Sequence, residues 1–119
     1  MPALSIKQPE PPVATRKAFG EALSLAGERY RNLVVLDADL TTSVMAHIFE
    51  KKFPDRHFNI GISEQDLVDT AAGLAMAGKL PIACSFAIFL TGIGWQQIRN
   101  AVCYPNLNVK FFGSHGGIQ

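Results

Sequence analysis

The chain has 119 residues, of which 48% are hydrophobic and 18% are charged, and its net charge is +1. This length allows one domain, and the composition excludes a disordered chain because enough apolar surface is present to form a core. The near-neutral charge, without a basic block, gives no electrostatic reason to expect nucleic acid or an anionic membrane as a partner. Cys84 and Cys103 lack metal-ligand or CxxC spacing, which is typical of a protein in a reducing cytoplasm.

The N-terminal stretch, residues 1–12, combines prolines with an absence of apolar periodicity and is predicted to be an extended arm. It lacks a basic segment followed by an apolar one, so no signal peptide is expected. Thr15 is predicted to cap the first helix. The apolar face of that helix has helical spacing and consists of Phe19, Leu23, Ala26 and Tyr30.

Four apolar runs are predicted to be strands: residues 33–36, 57–60, 81–85 and 108–112. Helical patterns separate them, at about residues 44–53, from a cap at Ser63 to a stop at Gly78, and at about residues 92–104. Strands that alternate with helices predict an α/β fold, namely a mostly parallel sheet with helices on both faces.

One uncharged segment, residues 80–98, approaches the length of a membrane-spanning helix. Pro81 and several small or polar residues interrupt it. A buried strand followed by a buried helix is therefore the better interpretation, and no membrane partner is expected.

Polar or aromatic side chains follow each predicted strand. They are Asp39 with Ser43, then Glu64, then Phe86 with Phe89, and finally His115. The carboxyl ends of parallel strands meet at one edge of a sheet, and open α/β folds bind their ligands there. The sequence therefore predicts a ligand site at this edge.

Each of these residues also has a purely structural interpretation, which the sequence leaves open. Asp37 and Asp39 are typical turn caps, and the helix dipole favours Glu64 in a first helical turn. The two phenylalanines are common core residues. His115 is harder to explain in this way, because the glycine-rich backbone around it permits close approach of a ligand. No GxGxxG motif follows a strand. This absence weakens the interpretation of the chain as a free-standing nucleotide-binding module.

Taken together, five segments resemble the transketolase family in its pyrimidine-binding domain. They are residues 15–17, 37–41, 58–65, 71–75 and 85–89. The resemblance is strongest to the separately encoded C-terminal section of split transketolases and covers residues 13–119. The G-I-x-E-Q element and its spacing from the A-D-L turn are its most specific part. It implies a thiamine-diphosphate-binding fold, expected here to be incomplete at its C-terminus.

The resemblance implies roles for individual residues toward the cofactor. Glu64 matches the catalytic glutamate that hydrogen-bonds the aminopyrimidine ring of thiamine diphosphate and activates the cofactor. Phe86 and Phe89 match aromatic residues that pack around this ring. Asp39 and Leu40 match residues that line the cofactor cleft.

The resemblance also implies substrate contacts. Arg16 and Ser43 match positions that hold a sugar phosphate, and His115 matches a histidine that contacts the substrate and takes part in catalysis. A third aromatic residue of larger transketolases would fall at Gly92, so this part of the pocket is expected to be missing or built differently.

No G-D-G motif with a downstream asparagine is present, and this family uses that motif to hold the metal-bound diphosphate. We therefore expect no metal site in this chain. The resemblance implies that Mg²⁺ and the diphosphate are held by a transketolase N-terminal subunit, in a hetero-oligomer such as a heterotetramer. The chain is expected to be inactive alone.

With that partner, the implied activity is transfer of a two-carbon ketol unit from a ketose phosphate to an aldose. A first alternative is a related component of 1-deoxyxylulose-5-phosphate synthase or of a 2-oxo acid dehydrogenase β subunit. A second alternative is a non-catalytic fragment that pairs with another chain through the small-residue helix at residues 71–78.

Overall fold

The structure is a computed structural model that describes residues 11–117, so residues 1–10 of the predicted N-terminal arm lie outside the described residues. The elements, in chain order, are α1 (Thr15–Arg29), β1 (Leu33–Asp37), α2 (His47–Lys52), β2 (His57–Asn59), α3 (Glu64–Met76), β3 (Leu80–Phe86), α4 (Ala87–Gly92), α5 (Trp95–Gln97) and β4 (Lys110–Ser114). A 3₁₀ turn, Pro54–Arg56, precedes β2, and a π-helical segment, Ile98–Cys103, continues α5.

The strands form one four-stranded sheet in the order β2-β1-β3-β4, and all its pairings are parallel. Val35 of β1 lies opposite both His57 of β2 and Ile82 of β3. The strand order places β1 and β3 at the centre of the sheet. The predicted parallel α/β fold is therefore confirmed. Because the strands are parallel, their carboxyl ends all lie on one side, which we call the carboxyl edge.

Alternate residues of β1 enter two separate cores. Leu33 and Val35 pack on the face that α1 and α2 cover, whereas Val34 and Leu36 pack on the face that α3 covers. All five residues of β1 are buried. A fully buried strand needs apolar side chains on both faces, which explains why its first four residues, 33–36, are a continuous apolar run. Helices cover both faces, as predicted.

The helix starts differ from the sequence-based predictions. Thr15 is the first residue of α1, and Ala14 occupies the N-cap position without a side-chain cap. Ser63 does occupy the N-cap position of α3, but its side chain makes no capping hydrogen bond. The second helix begins at His47, later than predicted, because Met45 has φ of 62° and cannot continue a right-handed helix.

The predicted helix over residues 92–104 is also wrong in detail. Helix α4 begins directly after β3, and α5 with its π-helical continuation follows a break at Ile93 and Gly94. Gly94 is buried against α3, where an added Cβ would lie 3.7 Å from the Glu64 carbonyl oxygen. The break lets the chain turn at this close contact. The last strand begins at Lys110, two residues later than predicted.

In the part of the chain that the structure describes, no helix has the length and apolar character needed to cross a membrane. The uncharged segment that approaches such a length instead forms β3, α4 and α5.

Candidate active site

The carboxylate of Glu64 is buried at the carboxyl edge. Glu64 is the first residue of α3, and only 6% of its surface is exposed. The hydroxyl of Ser85, a fully buried residue of β3, donates a hydrogen bond to Glu64 Oε1 at 3.1 Å. Within residues 11–117, Oε2 receives no hydrogen bond. One carboxylate oxygen is thus held by the protein and the other is free for a ligand.

The turn between β2 and α3 places Glu64. Gly61 has φ of +83°, a conformation that L side chains rarely adopt, and its N–H donates to Asn59 Oδ1 at 2.9 Å. The Gly61 carbonyl then accepts the Ser63 N–H at 2.8 Å. Helix α3 begins one residue later, so Glu64 lies in the first turn, where the helix dipole favours a negative charge.

Three aromatic side chains, which we call the aromatic cluster, meet beyond β3 and β4. The rings of Phe86 and Phe89 stack with centroids 5.5 Å apart, and the His115 ring lies 4.2 Å from that of Phe86. Both phenylalanines are only half-buried, so they form a surface as well as part of a core. Nothing lies within 4 Å of a Cβ added at Gly92, so this corner of the cluster is open.

Arg16 and His115 lie together at the mouth of a pocket of about 480 Å³, which Ala14, Thr15 and Ser114 complete. We call it the basic pocket. Arg16 Nη1 is 3.4 Å from His115 Nε2, and His115 Nδ1 is 2.7 Å from Ser114 Oγ. In the contact between Arg16 and His115 the guanidinium group donates, because it can only donate, and Nε2 accepts. Both Arg16 and His115 are exposed and accessible to a ligand.

The two aspartates that follow β1 have different environments. Asp37 is fully buried and accepts hydrogen bonds from the Leu40 N–H at 2.9 Å, the Thr41 hydroxyl at 2.8 Å and His57 Nε2 at 2.7 Å. For Asp37 the turn-capping interpretation is therefore correct. Asp39 is exposed, has φ of 60° and hydrogen-bonds Asn59.

Leu40 and Ser43, the other predicted site residues of this loop, are half-buried. Leu40 packs at the margin of the core under α1 and α2. Ser43 makes no side-chain hydrogen bond within residues 11–117 and does not line the basic pocket. The structure therefore brings Arg16 to His115 but does not bring Ser43 into the same pocket.

Cys84 lies in β3 beside Ser85 and contributes to the core under α1 and α2. Burial, and secondarily the nearby Asp37 carboxylate, raise the pKa of the Cys84 thiol. The thiol is therefore neutral, which removes it as a candidate nucleophile.

Four large apolar side chains on the segments that follow β2 and β3 are exposed. We call them the apolar rim: Ile62 at 84% exposure, Ile88 at 66%, Ile93 at 49% and Trp95 at 61%. Exposed apolar side chains mark a contact surface where they form one patch. Nowhere in residues 11–117 do three or more His, Cys, Asp or Glu side chains group to hold a metal ion.

A parallel α/β sheet with a buried first-turn carboxylate, an aromatic cluster and a basic pocket at one edge defines a ligand-binding domain of the open α/β class. The family model for the transketolase pyrimidine binding domain matches residues 11–119. The chain therefore belongs to the transketolase pyrimidine-binding domain family, and the resemblance inferred from its sequence motifs is confirmed.

Individual relatives agree with this assignment. A protein of Methanocaldococcus jannaschii, described as a transketolase C-terminal section, is 52% identical over 103 residues, which are 87% of this chain and 33% of that protein. One of the subunits of an apulose-4-phosphate transketolase from Actinobacillus succinogenes is 46% identical over 86 residues, 72% of this chain and 28% of the relative. Human transketolase is 36% identical over 120 residues and is covered over 19% of its length.

A solved structure of a split-gene transketolase, described as an inactive β4 tetramer, matches with a TM-score of 0.78 and 50% identity. The match covers 85% of this chain and 34% of that one. The chain thus spans about a third or less of the length of these relatives.

Sequence reasoning misses Ser85 and Asn59. Both lie inside segments that carry the family resemblance, so membership of a motif was the only available signal. Neither residue type indicates a site by itself, because serine and asparagine are common at strand ends and turns. Their contacts depend on which strands become neighbours.

Proposed function

We propose that this chain is the pyrimidine-domain component of a two-chain, thiamine-diphosphate-dependent transketolase. It would transfer a two-carbon ketol unit from a ketose phosphate to an aldose acceptor. The observation that carries the proposal is the buried carboxylate of Glu64, whose free Oε2 lies at the carboxyl edge. Family membership and two relatives described as a section and a subunit of transketolases support it.

The residues present fit the pyrimidine end of thiamine diphosphate. The free oxygen of Glu64 can share a proton with a ring nitrogen, and the stacked rings of Phe86 and Phe89 offer an apolar wall to a flat heterocycle. Asp39 and Leu40 would line the adjacent side of the cleft. When bound, thiamine diphosphate supplies the carbon nucleophile and the electron sink that ketol transfer requires.

The side chains of this chain would bind the cofactor ring and orient it. Ser85 restrains one oxygen of Glu64, so the other stays aimed at the edge and can hold a hydrogen bond to the ring. A preorganised group of this kind needs no reorganisation when the ligand reacts. Phe86 and Phe89 would exclude water from the hydrogen bond, which strengthens it in a medium of lower dielectric constant.

The basic pocket would receive the sugar substrate. Arg16 presents a guanidinium group to solvent, and this group matches the geometry of a phosphate. His115 Nε2 accepts from Arg16 and could equally accept from a substrate hydroxyl, while Ser114 holds Nδ1. Ser43 remains a predicted phosphate contact, which would require the loop after β1 to contribute to the same substrate.

A second polypeptide would complete the site. We propose that a transketolase N-terminal subunit covers the apolar rim and holds the diphosphate and Mg²⁺, in a hetero-oligomer such as a heterotetramer. The four side chains of the rim are exposed, and a partner seated on them would cover the segments that follow β2 and β3. The chain by itself would then be inactive.

The fragment alternative receives less support. It requires the small residues of α3 to face a partner, but Ala71 and Ala72 are buried in the chain's own core. Among the small residues of the 71–78 segment, Gly73, Ala77 and Gly78 are exposed.

The proposal is tested by mixing the chain with the neighbouring-gene product, thiamine diphosphate, Mg²⁺ and a ketose donor. Turnover is expected in the mixture and in neither component alone. Hydroxypyruvate and ketose phosphates should serve as donors in preference to pyruvate and other 2-oxo acids. A preference for pyruvate would favour the 1-deoxyxylulose-5-phosphate synthase or 2-oxo acid dehydrogenase alternative, and turnover by the chain alone would contradict the two-chain proposal.

A further inference from the structure

Two loops of the carboxyl edge carry residues proposed to meet the cofactor. The loop after β1 carries Asp39, and the turn after β2 leads to Glu64. One side chain joins them, that of Asn59, the last residue of β2. Asn59 Oδ1 accepts the Asp39 N–H at 3.2 Å and the Gly61 N–H at 2.9 Å. A single oxygen atom thus receives one backbone hydrogen bond from each loop.

The amide nitrogen of the same side chain adds two longer contacts to the first loop. Asn59 Nδ2 lies 3.4 Å from Asp39 Oδ1 and 3.5 Å from Thr41 Oγ1. Asp39 has φ of 60°, a left-handed conformation that costs free energy in a residue with a Cβ. Such a conformation persists only where surrounding contacts determine it. Asn59 supplies these contacts through both the oxygen and the nitrogen of its side-chain amide.

On the other side, Asn59 sets the start of α3. Its bond to the Gly61 N–H orients the Gly61 peptide, whose carbonyl accepts the Ser63 N–H. Ser63 is the N-cap of α3, and its carbonyl accepts the Leu67 N–H at 2.9 Å. Three successive hydrogen bonds therefore connect the Asn59 amide to the first turn, in which Glu64 lies.

We propose that Asn59 is a positioning residue that holds Asp39 and Glu64 in a fixed relative arrangement for the cofactor. The inference rests on the proposed function. Asn59 is exposed, so its hydrogen bonds contribute little to stability. Their effect on cofactor binding is larger, since small displacements of binding groups reduce affinity and rate strongly. A loss of cofactor affinity without a matching loss of stability is the signature of this role.

The test compares Asn59→Ala with the matched control Asn32→Ala in the two-chain enzyme with Mg²⁺. Asn32 is also exposed, and its side chain donates a hydrogen bond to the carbonyl of Gly78 in the same chain at 3.3 Å. It precedes β1, however, at the opposite edge of the sheet. Titration calorimetry with thiamine diphosphate measures the Kd. We expect Asn59→Ala to raise the Kd about tenfold or more and Asn32→Ala to change it by less than about twofold.

Two further measurements separate positioning from general damage. Amide hydrogen exchange in the full chain should become faster at Asp39 and Gly61 in Asn59→Ala, while the core amides of β1 stay protected. Asn59→Asp retains the acceptor oxygen for both N–H groups. Both N–H groups bind an anionic oxygen more strongly than an amide oxygen, which offsets the repulsion between two exposed carboxylates, so this variant should recover part of the lost affinity.

The outcomes distinguish a failure of the proposed function from a failure of the positioning role of Asn59. A wild-type complex that binds no thiamine diphosphate contradicts the proposed function, and the positioning role with it. Wild-type binding together with an Asn59→Ala affinity equal to that of Asn32→Ala overturns the positioning role alone. Equal weakness of Asn59→Asp and Asn59→Ala also overturns it, because the acceptor oxygen would then be irrelevant.

Discussion

The two halves of the carboxyl edge are built in opposite ways. In one half, Glu64 and Ser85 are buried and hydrogen-bonded to each other. In the other half, Arg16 and His115 are exposed and line an open pocket. A buried carboxylate is held in place before any ligand arrives, whereas exposed side chains adapt to what binds. The first arrangement suits a cofactor that stays in the site, and the second suits substrates that exchange.

Sheet position explains this difference. Ser85 belongs to β3, which has a neighbouring strand on each side and α3 above it, so the half that contains Glu64 is enclosed. His115 follows β4, the last strand of the sheet, and meets the start of α1. Within residues 11–117, β4 has a strand on one side only, and the groups beyond its end are exposed. The comparison therefore predicts which mutations affect cofactor chemistry and which affect substrate binding.

The largest effect is expected at the buried carboxylate. Glu64→Gln keeps the size of the side chain and an acceptor for Ser85, but it replaces an anionic oxygen with an amide. The kcat of the two-chain enzyme should fall about 10³-fold, the order of magnitude for loss of a proton-transferring group. Gln65→Ala, an exposed change in the same helical turn, is the control and should retain wild-type kcat. More than a tenth of wild-type kcat in Glu64→Gln would remove Glu64 from its proposed role.

A smaller and different effect is expected in the basic pocket. Arg16→Ala would remove the charge-assisted hydrogen bond that we propose Arg16 makes to a substrate phosphate, so KM for a ketose phosphate should rise about 10- to 100-fold. The Kd for thiamine diphosphate should stay unchanged, because Arg16 is exposed in the other half of the edge. Lys17→Ala, the adjacent exposed cation outside the pocket, is the control. If Arg16→Ala weakened cofactor binding as much as substrate binding, the division into two halves would be wrong.

Ser85→Ala tests how much the buried half depends on preorganisation. The change deletes one neutral donor and leaves Glu64 Oε1 without its partner. We expect kcat to fall about fivefold to tenfold, corresponding to a hydrogen bond worth about 1 kcal/mol, with the KM for the donor sugar unchanged. Ser24→Ala, at a half-buried position of α1, provides the comparison. An unchanged kcat would mean that packing alone orients Glu64.

A separate effect, on stability and not on kcat, concerns the burial of Cys84 in the core under α1 and α2. Burial raises the pKa of Cys84, so the folded chain keeps its thiol protonated where the unfolded chain, with a pKa near its ordinary value of about 8.5, releases the proton. The free energy of unfolding should therefore fall as pH rises above about 8.5, by up to about 1.4 kcal/mol per pH unit. Comparing urea denaturation of wild type and Cys84→Ala at several pH values measures this dependence.

Thiol alkylation provides an independent check of the same burial. The exposed Cys103 should react with iodoacetamide at the rate of an unfolded thiol, and Cys84 only after unfolding. Rapid modification of Cys84 in the folded chain would show that solvent reaches the core under α1 and α2.

The α/β class, the parallel sheet and the family could all be predicted from the sequence alone. They follow from apolar runs that alternate with helical patterns and from short segments whose residues are close along the chain. The position of Glu64 in a first helical turn was also predictable, because Gly61 and Ser63 act within five residues of it. Local physical chemistry is sufficient for all of these features.

Which side chains meet, in contrast, depends on the packing of the whole domain. Arg16 and His115 are 99 residues apart in the chain, and Ser85 and Glu64 are 21 apart. Their contacts arise from the strand order β2-β1-β3-β4, which results from packing both faces of β1 and β3 and not from any local pattern. The same packing separates the structural Asp37 from the exposed Asp39. Two aspartates two residues apart look alike in a sequence, and only burial distinguishes them.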